Sequence, residues 1–202
     1  MQSDAKKRMK RGWLLMTGLA LLLGAVALAG FYAVRKPVPA QVGPGAAQRV
    51  LHLTPDLRLG LMSRPTLWGP PLDAPSMAGK VVLITFFASW CPPCRAELAE
   101  LKTLDGTYRQ RGLYIVAVNE FEDFDSLSNS NKLAAFLERM DLPFSVVKGS
   151  PSLSKALGTI TRIPTVIIFD RRGRLAHHSF NSGPGSATLD GKSLERIITR
   201  LL

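Results

Sequence analysis

The chain has 202 residues and carries 26 Lys and Arg against 15 Asp and Glu, a formal net charge of +11 at pH 7. Residues 1–36 hold seven basic residues against Asp4, or +6, so only +5 is left, scattered over the remainder, and no nucleic-acid-binding stripe results. The composition has two cysteines and three histidines, and His52, His177 and His178 lie far from the cysteines in sequence, so no four-ligand zinc site is expected.

The first predicted element is a membrane span. Lys6, Lys7, Arg8, Lys10 and Arg11 precede an uncharged stretch at 12–34. As a helix this stretch would reach about 34 Å, enough for a hydrocarbon core of about 30 Å. The basic excess before it keeps residues 1–11 in the cytoplasm and sends the rest of the chain out, as a single-pass protein of the inner (cytoplasmic) membrane with its catalytic part in the periplasm or outside the cell. Ala27-Leu28-Ala29 offers a signal-peptidase pattern as the alternative, although the apolar stretch exceeds a signal-peptide core. Residues 35–49, rich in Pro and Gly, read as an irregular tether. Residues 50–202 are ample for one domain with its own core. At its start, 50–53 and 57–59 are expected as short strands of a hairpin or cap.

Residues 81–88 (VVLITFFA) form a continuous apolar run that predicts a strand buried on both faces. Directly after it stands Cys91-Pro92-Pro93-Cys94, which holds both cysteines of the chain. Leucines at helical spacing follow, so a helix is expected over 92–110, with Cys91 at its amino end. There free backbone N–H groups and the helix dipole favour a thiolate. On this reading Cys91 is the attacking thiol and Cys94 the resolving one. Pro92 and Pro93, with fixed φ and no N–H, suit a first helical turn and stiffen the loop. An inert disulfide is the competing interpretation, yet a loop this short confers little entropic stabilisation.

Further strands are predicted at 113–119, 144–147, 165–170 and 174–180. An acidic, polar insertion is expected at 121–131. Helices are expected at 132–140, 152–157 and 193–202, with a turn at Arg171-Arg172-Gly173-Arg174. The alternation is that of an α/β domain. Glu97, one turn beyond Cys94, shares its helix face and is either a proton acceptor at the disulfide or a solvated surface glutamate. Adjacent on a strand, His177 and His178 face opposite sides and read as structural or surface residues.

The run Phe86 to Glu97 (FFASWCPPCRAE) resembles the active-site signature of the thioredoxin-like TlpA, ResA and CcmG group, and Ile163-Pro164-Thr165 before a second apolar strand extends the likeness. The resemblance implies a thioredoxin-like fold: a central mixed sheet flanked by helices, with an amino-terminal extension and a central helical insertion, behind one transmembrane helix. It implies a thiol-disulfide oxidoreductase with no cofactor beyond the Cys91–Cys94 disulfide. Glu97 would be the proton acceptor for Cys94. Pro164 would be cis and would contact substrate together with Trp90, Pro92, Pro93 and Ile163; a trans strand-start Pro164 and a loop-anchoring Trp90 are the plainer alternatives. Where ordinary thioredoxins carry a buried aspartate six residues before the first cysteine, this chain has Thr85.

Expected partners, again by resemblance, are exported substrates such as apocytochrome c or copper-site proteins, and a membrane reductant of the DsbD or CcdA type. Three other activities stay open from the residues: a disulfide-donating oxidant of the same fold, a Cu(I)-binding metallochaperone and a peroxide reductase.

Overall fold

The computed structural model describes residues 51–123, 130–179 and 190–202. The expected anchor at 12–34, the Ala27 to Ala29 motif, the tether at 35–49 and residues 124–129 of the expected insertion lie outside the described residues. Among the described residues no helix is long and apolar enough to cross a membrane.

The described elements in chain order are α1 (Pro55–Met62), β1 (Thr66–Trp68), α2 (Ala74–Met77), β2 (Val81–Phe87), α3 (Pro92–Tyr108), a 3-10 turn (Arg109–Arg111), β3 (Leu113–Asn119), α4 (Ser130–Met140), β4 (Ser145–Lys148), α5 (Pro151–Ala156), β5 (Thr165–Phe169), β6 (Leu175–His178) and α6 (Gly191–Leu201). They build one mixed sheet of order β1-β4-β3-β2-β5-β6. β2 runs parallel to β3, and β3 parallel to β4, while β5 and β6 add antiparallel on one side and β1 antiparallel on the other. Parallel neighbours need a crossover, and α3 and α4 supply the two.

Alternation along β2 divides the core. Val81, Leu83 and Phe87 face one layer with Leu98 and Leu101 of α3, Phe136 and Leu137 of α4, and Leu194 and Ile198 of α6. Val82, Ile84 and Phe86 face the other, with Leu57 and Leu61 of α1 and Leu153 of α5. All seven residues of β2 are buried, as a strand covered on both faces by helices requires.

The amino-terminal region corrects one expectation. Leu57-Arg58-Leu59 is not a strand but the middle of α1. Thr54 caps the helix by accepting the Leu57 N–H at 3.2 Å, and Pro55 occupies the first turn. This Thr-Pro start, with Leu57 and Leu61 buried four apart, outweighs the short alternation that suggested a strand. Of the expected strand at 50–53, residue 50 lies outside the described residues, and among 51–53 only His52 forms a bridge, antiparallel to Arg174. β1 falls just after Pro65, where prolines obscured any strand signal, and it pairs with β4. The predicted strand at 174–180 is β6 over Leu175–His178, residue 180 lying outside the described residues.

Leu98 is wholly buried under the first turns of α3. Leu98→Ala is expected to lower the unfolding free energy of the oxidised chain by about 2–5 kcal/mol, read from the urea midpoint.

Candidate active site

The site forms where β2 ends. Cys91 has extended backbone (φ −88°, ψ 107°) and occupies the N-cap of α3, with Pro92 and Pro93 opening the helix. A side-chain acceptor at an N-cap usually satisfies one of the free N–H groups of the first turn. Here the sulfur does it, the Cys94 N–H donating to Cys91 Sγ at 3.3 Å. Cys91 and Cys94 are joined as a disulfide with their Cα atoms 5.3 Å apart. Cys94 is fully buried and Cys91 nearly so, whereas Pro92 and Pro93 are exposed at the rim.

Glu97 points inward. It is 3 % exposed, and Thr85 Oγ1 on β2 donates to its Oε1 at 2.5 Å. Burial is the main influence and raises the carboxyl from its ordinary 4.5 to about 7, the Thr85 hydrogen bond pulling the other way and the charge of Glu100 adding slightly to the rise. Of the two sequence readings, the solvated surface glutamate is therefore incorrect. Thr85 faces α3 from the position where ordinary thioredoxins carry the aspartate, and its hydroxyl ties the strand to Glu97. The sequence showed the replacement but not this bond.

The Ile163–Pro164 peptide is cis. Phe86 pairs with Thr165 across the antiparallel β2–β5 ladder, so Pro164 falls beside Phe87, on the approach to Cys91. Thr165 Oγ1 donates to the Arg162 carbonyl at 2.8 Å and closes this turn. Ile163 packs, partly buried, between the two core layers. Trp90 is half-buried and its indole N–H donates to the Phe121 carbonyl at 3.0 Å. The structure thus gathers Trp90, the two cysteines, Glu97 and the 163–164 turn at one end of the sheet.

The histidines are elsewhere. His52 joins Arg174 at the β6 edge, and His177 and His178 are consecutive on β6. His178 Nε2 lies 3.3 Å from the Leu157 carbonyl, and burial lowers the pKa of both rings.

Sequence reasoning missed Ser89, Asn119 and Glu122. Asn119 ends β3 opposite Phe87, and the Glu122 carboxylate accepts from Asn119 Nδ2 at 2.7 Å and from the Ser89 backbone N–H at 2.9 Å. The available signal was positional: polar residues just past the carboxyl end of a central parallel strand fall in the crevice where α/β sheets place their sites.

A redox-type disulfide at a helix amino terminus, a buried carboxyl one turn on and a cis-proline alongside are now in place, and residues 62–196 match the Redoxin family model. The chain belongs to the Redoxin family. Within it the chain is one of the thioredoxin-like proteins of the TlpA, ResA and CcmG group, and it is a thiol-disulfide oxidoreductase. It is 27 % identical over 174 residues to the thiol-disulfide oxidoreductase ResA of Halalkalibacterium halodurans, covering 82 % of this chain and 84 % of that one. It is 33 % identical over 109 residues to the thioredoxin-like protein YneN of Bacillus subtilis, covering 54 % of this chain and 61 % of that one. Among solved structures, a thioredoxin-family thiol:disulfide interchange protein of Chlorobium tepidum superposes with a TM-score of 0.51 at 26 % identity, over 68 % of this chain and 94 % of that one.

Two expectations follow from Glu97 in this redoxin. Its folded pKa lies above its unfolded value, so its contribution to stability is fully present below about 4.5 and is lost as pH rises through about 7. Denaturant titrations of wild type and Glu97→Gln across that window should diverge, wild type losing roughly 3 kcal/mol relative to the variant at 1.36 kcal/mol per pH unit. Thr85→Val removes the hydrogen bond that favours the ionised carboxyl without changing side-chain size, and should move the Glu97 titration, followed by carboxyl NMR, further up.

Proposed function

We propose that this redoxin is a membrane-anchored reductant of disulfides in exported proteins, with its catalytic head in the periplasm or outside the cell. The observation that best supports a reductant is Glu97, buried one helical turn from Cys94. Strong oxidants of this kind owe their potential to a stabilised reduced form. A buried carboxyl beside the pair repels thiolate charge when ionised and so opposes that stabilisation.

The reaction balances in two exchanges. Cys91 thiolate attacks one sulfur of the target disulfide, forming a mixed disulfide and expelling the other sulfur as a thiolate. Glu97, with a pKa of about 7, takes the proton of Cys94. Cys94 then attacks Cys91 Sγ, the second target sulfur leaves as a thiolate, and the target has gained two electrons while Cys91–Cys94 has lost them. Protons from Glu97 and solvent complete the target dithiol. Trp90, Pro92, Pro93, Ile163 and Pro164 form the rim that receives the target, with the backbone at Ile163 pairing to an extended segment.

The chain has two cysteines in all, so electrons must come from outside it. By resemblance the donor is a membrane reductant of the DsbD or CcdA type, and the targets are apocytochrome c or copper-site proteins in cytochrome maturation. Residues 12–34 hold the head at the membrane.

Cys94→Ser in the full chain should accumulate mixed disulfides that identify the target after non-reducing electrophoresis, and Cys91→Ser should trap nothing and show no turnover. Equilibration with redox buffers should give a potential near about −270 mV. A value near about −120 mV would instead mark a disulfide donor. Tight Cu(I) retention with no thiol-disulfide exchange would replace the reductase with a metallochaperone.

A further inference from the structure

We infer that Glu122 is a positioning residue for Cys91, acting through a strap formed by residues 119–122 that holds the loop before the disulfide. This rests on the thiol-disulfide oxidoreductase activity but not on the direction of electron flow or the identity of the target.

The loop from Ala88 to Trp90 is the only covalent link between the end of β2 and the N-cap cysteine, and it has no ladder of its own beyond Phe87. The peptide groups of Ser89, at its centre, are held by side chains instead. The Glu122 carboxylate takes the Ser89 N–H at 2.9 Å through Oε2, and the Ser89 hydroxyl donates to Oε1. Arg95 Nε donates to the Ser89 carbonyl at 2.9 Å. Both sides of one buried residue are thus fixed, one by the strap and one by α3. The indole of Trp90 adds the bond to the Phe121 carbonyl.

The strap is itself anchored. Its root is tied into the sheet by Glu120 N–H to the Phe87 carbonyl at 2.9 Å and by Gly149 N–H to the Asn119 carbonyl at 2.8 Å. At Gly149 a Cβ would lie 2.8 Å from that same carbonyl oxygen, so a side chain there would displace the strap. Phe121 has φ 60°, a left-handed conformation uncommon for a bulky residue. That turn lets its carbonyl face Trp90 while the next side chain faces Ser89. Asn119 Nδ2 then braces the carboxylate at 2.7 Å.

The consequence reaches the sulfur. Cys91 Sγ receives the Cys94 N–H only while Cys91 keeps its N-cap geometry, and the Cys91 N–H is in turn bound to the Ala88 carbonyl at 3.2 Å. Releasing Ser89 frees that turn and moves the sulfur off the helix terminus that favours its thiolate. Among the described residues, the charged groups carried by these elements near the disulfide include Arg95, Glu97 and Glu100 of α3, Glu120 and Glu122 of the strap, and Arg162 ahead of the cis-proline. Charge alone makes the opposite forecast to position: deleting an anion near Cys91 would lower its pKa, whereas losing the N-cap geometry raises it.

The test is the pH profile of Cys91 alkylation by iodoacetamide in the reduced full chain, a readout that requires no protein substrate. Glu122→Ala should shift the midpoint upward and slow alkylation at neutral pH about 10-fold or more, as small misplacements of a reacting group do. Glu122→Gln removes the charge but keeps an oxygen for the Ser89 N–H and an amide N–H for its hydroxyl, so it should stay within about twofold of wild type. An Ala profile matching wild type, or Ala and Gln profiles that both move down, would overturn the inference. Where Glu122→Ala does not fold, Ser89→Ala carries the test by deleting only the hydroxyl contact. A smaller upward shift is expected there, and a profile identical to wild type would refute the positioning role.

Discussion

Everything functional in this molecule hangs on the complete burial of β2. Seven consecutive apolar or neutral residues, none left to solvent, lock this strand between a parallel neighbour and an antiparallel one. Its two faces feed two separate core layers, so it has no freedom to slip by a residue without exposing one of them. The point where the chain leaves β2 is therefore fixed, and with it the position of the N-cap cysteine. The same register brings the 163–164 turn alongside from β5 and Asn119 from β3.

At that point two opposing influences meet on the sulfurs. The amino end of α3 and the Cys94 N–H favour a thiolate on Cys91. Glu97, driven inward by the helix and held by Thr85, disfavours additional negative charge next to Cys94. Burial lifts its own pKa to about 7, so near neutrality it is partly protonated and can exchange a proton in either direction. An aspartate on β2 would have placed the acid on the strand. With Thr85 there, the acid sits on the helix and the strand contributes only a hydroxyl.

Where local signals were strong, the sequence was easy to read. The buried run at 81–88 announced β2, the two cysteines in a Pro-Pro turn announced the helix start, and Leu98, Leu101 and Leu104 set the face of α3. The segment before β2 was misread because short alternation at 57–59 is weak evidence beside a Thr-Pro helix start. β1 could not be recognised at all: three residues next to prolines become a strand only because β4 offers them an edge.

The sequence by itself pointed to dithiol chemistry, because two cysteines at that spacing on a strand-to-helix junction favour reversible exchange over an inert disulfide, and the neighbouring motif resembles that of the family. Only the tertiary structure decided the environment of that chemistry. Local sequence does not decide whether Glu97 faces solvent or core, and its depth follows from α3 packing on β2. Ser89, Asn119 and Glu122 are ordinary polar residues in the chain, 33 positions apart from first to last. They form one site because parallel strands bring their carboxyl ends together, and a buried N–H must find an acceptor wherever the fold supplies one.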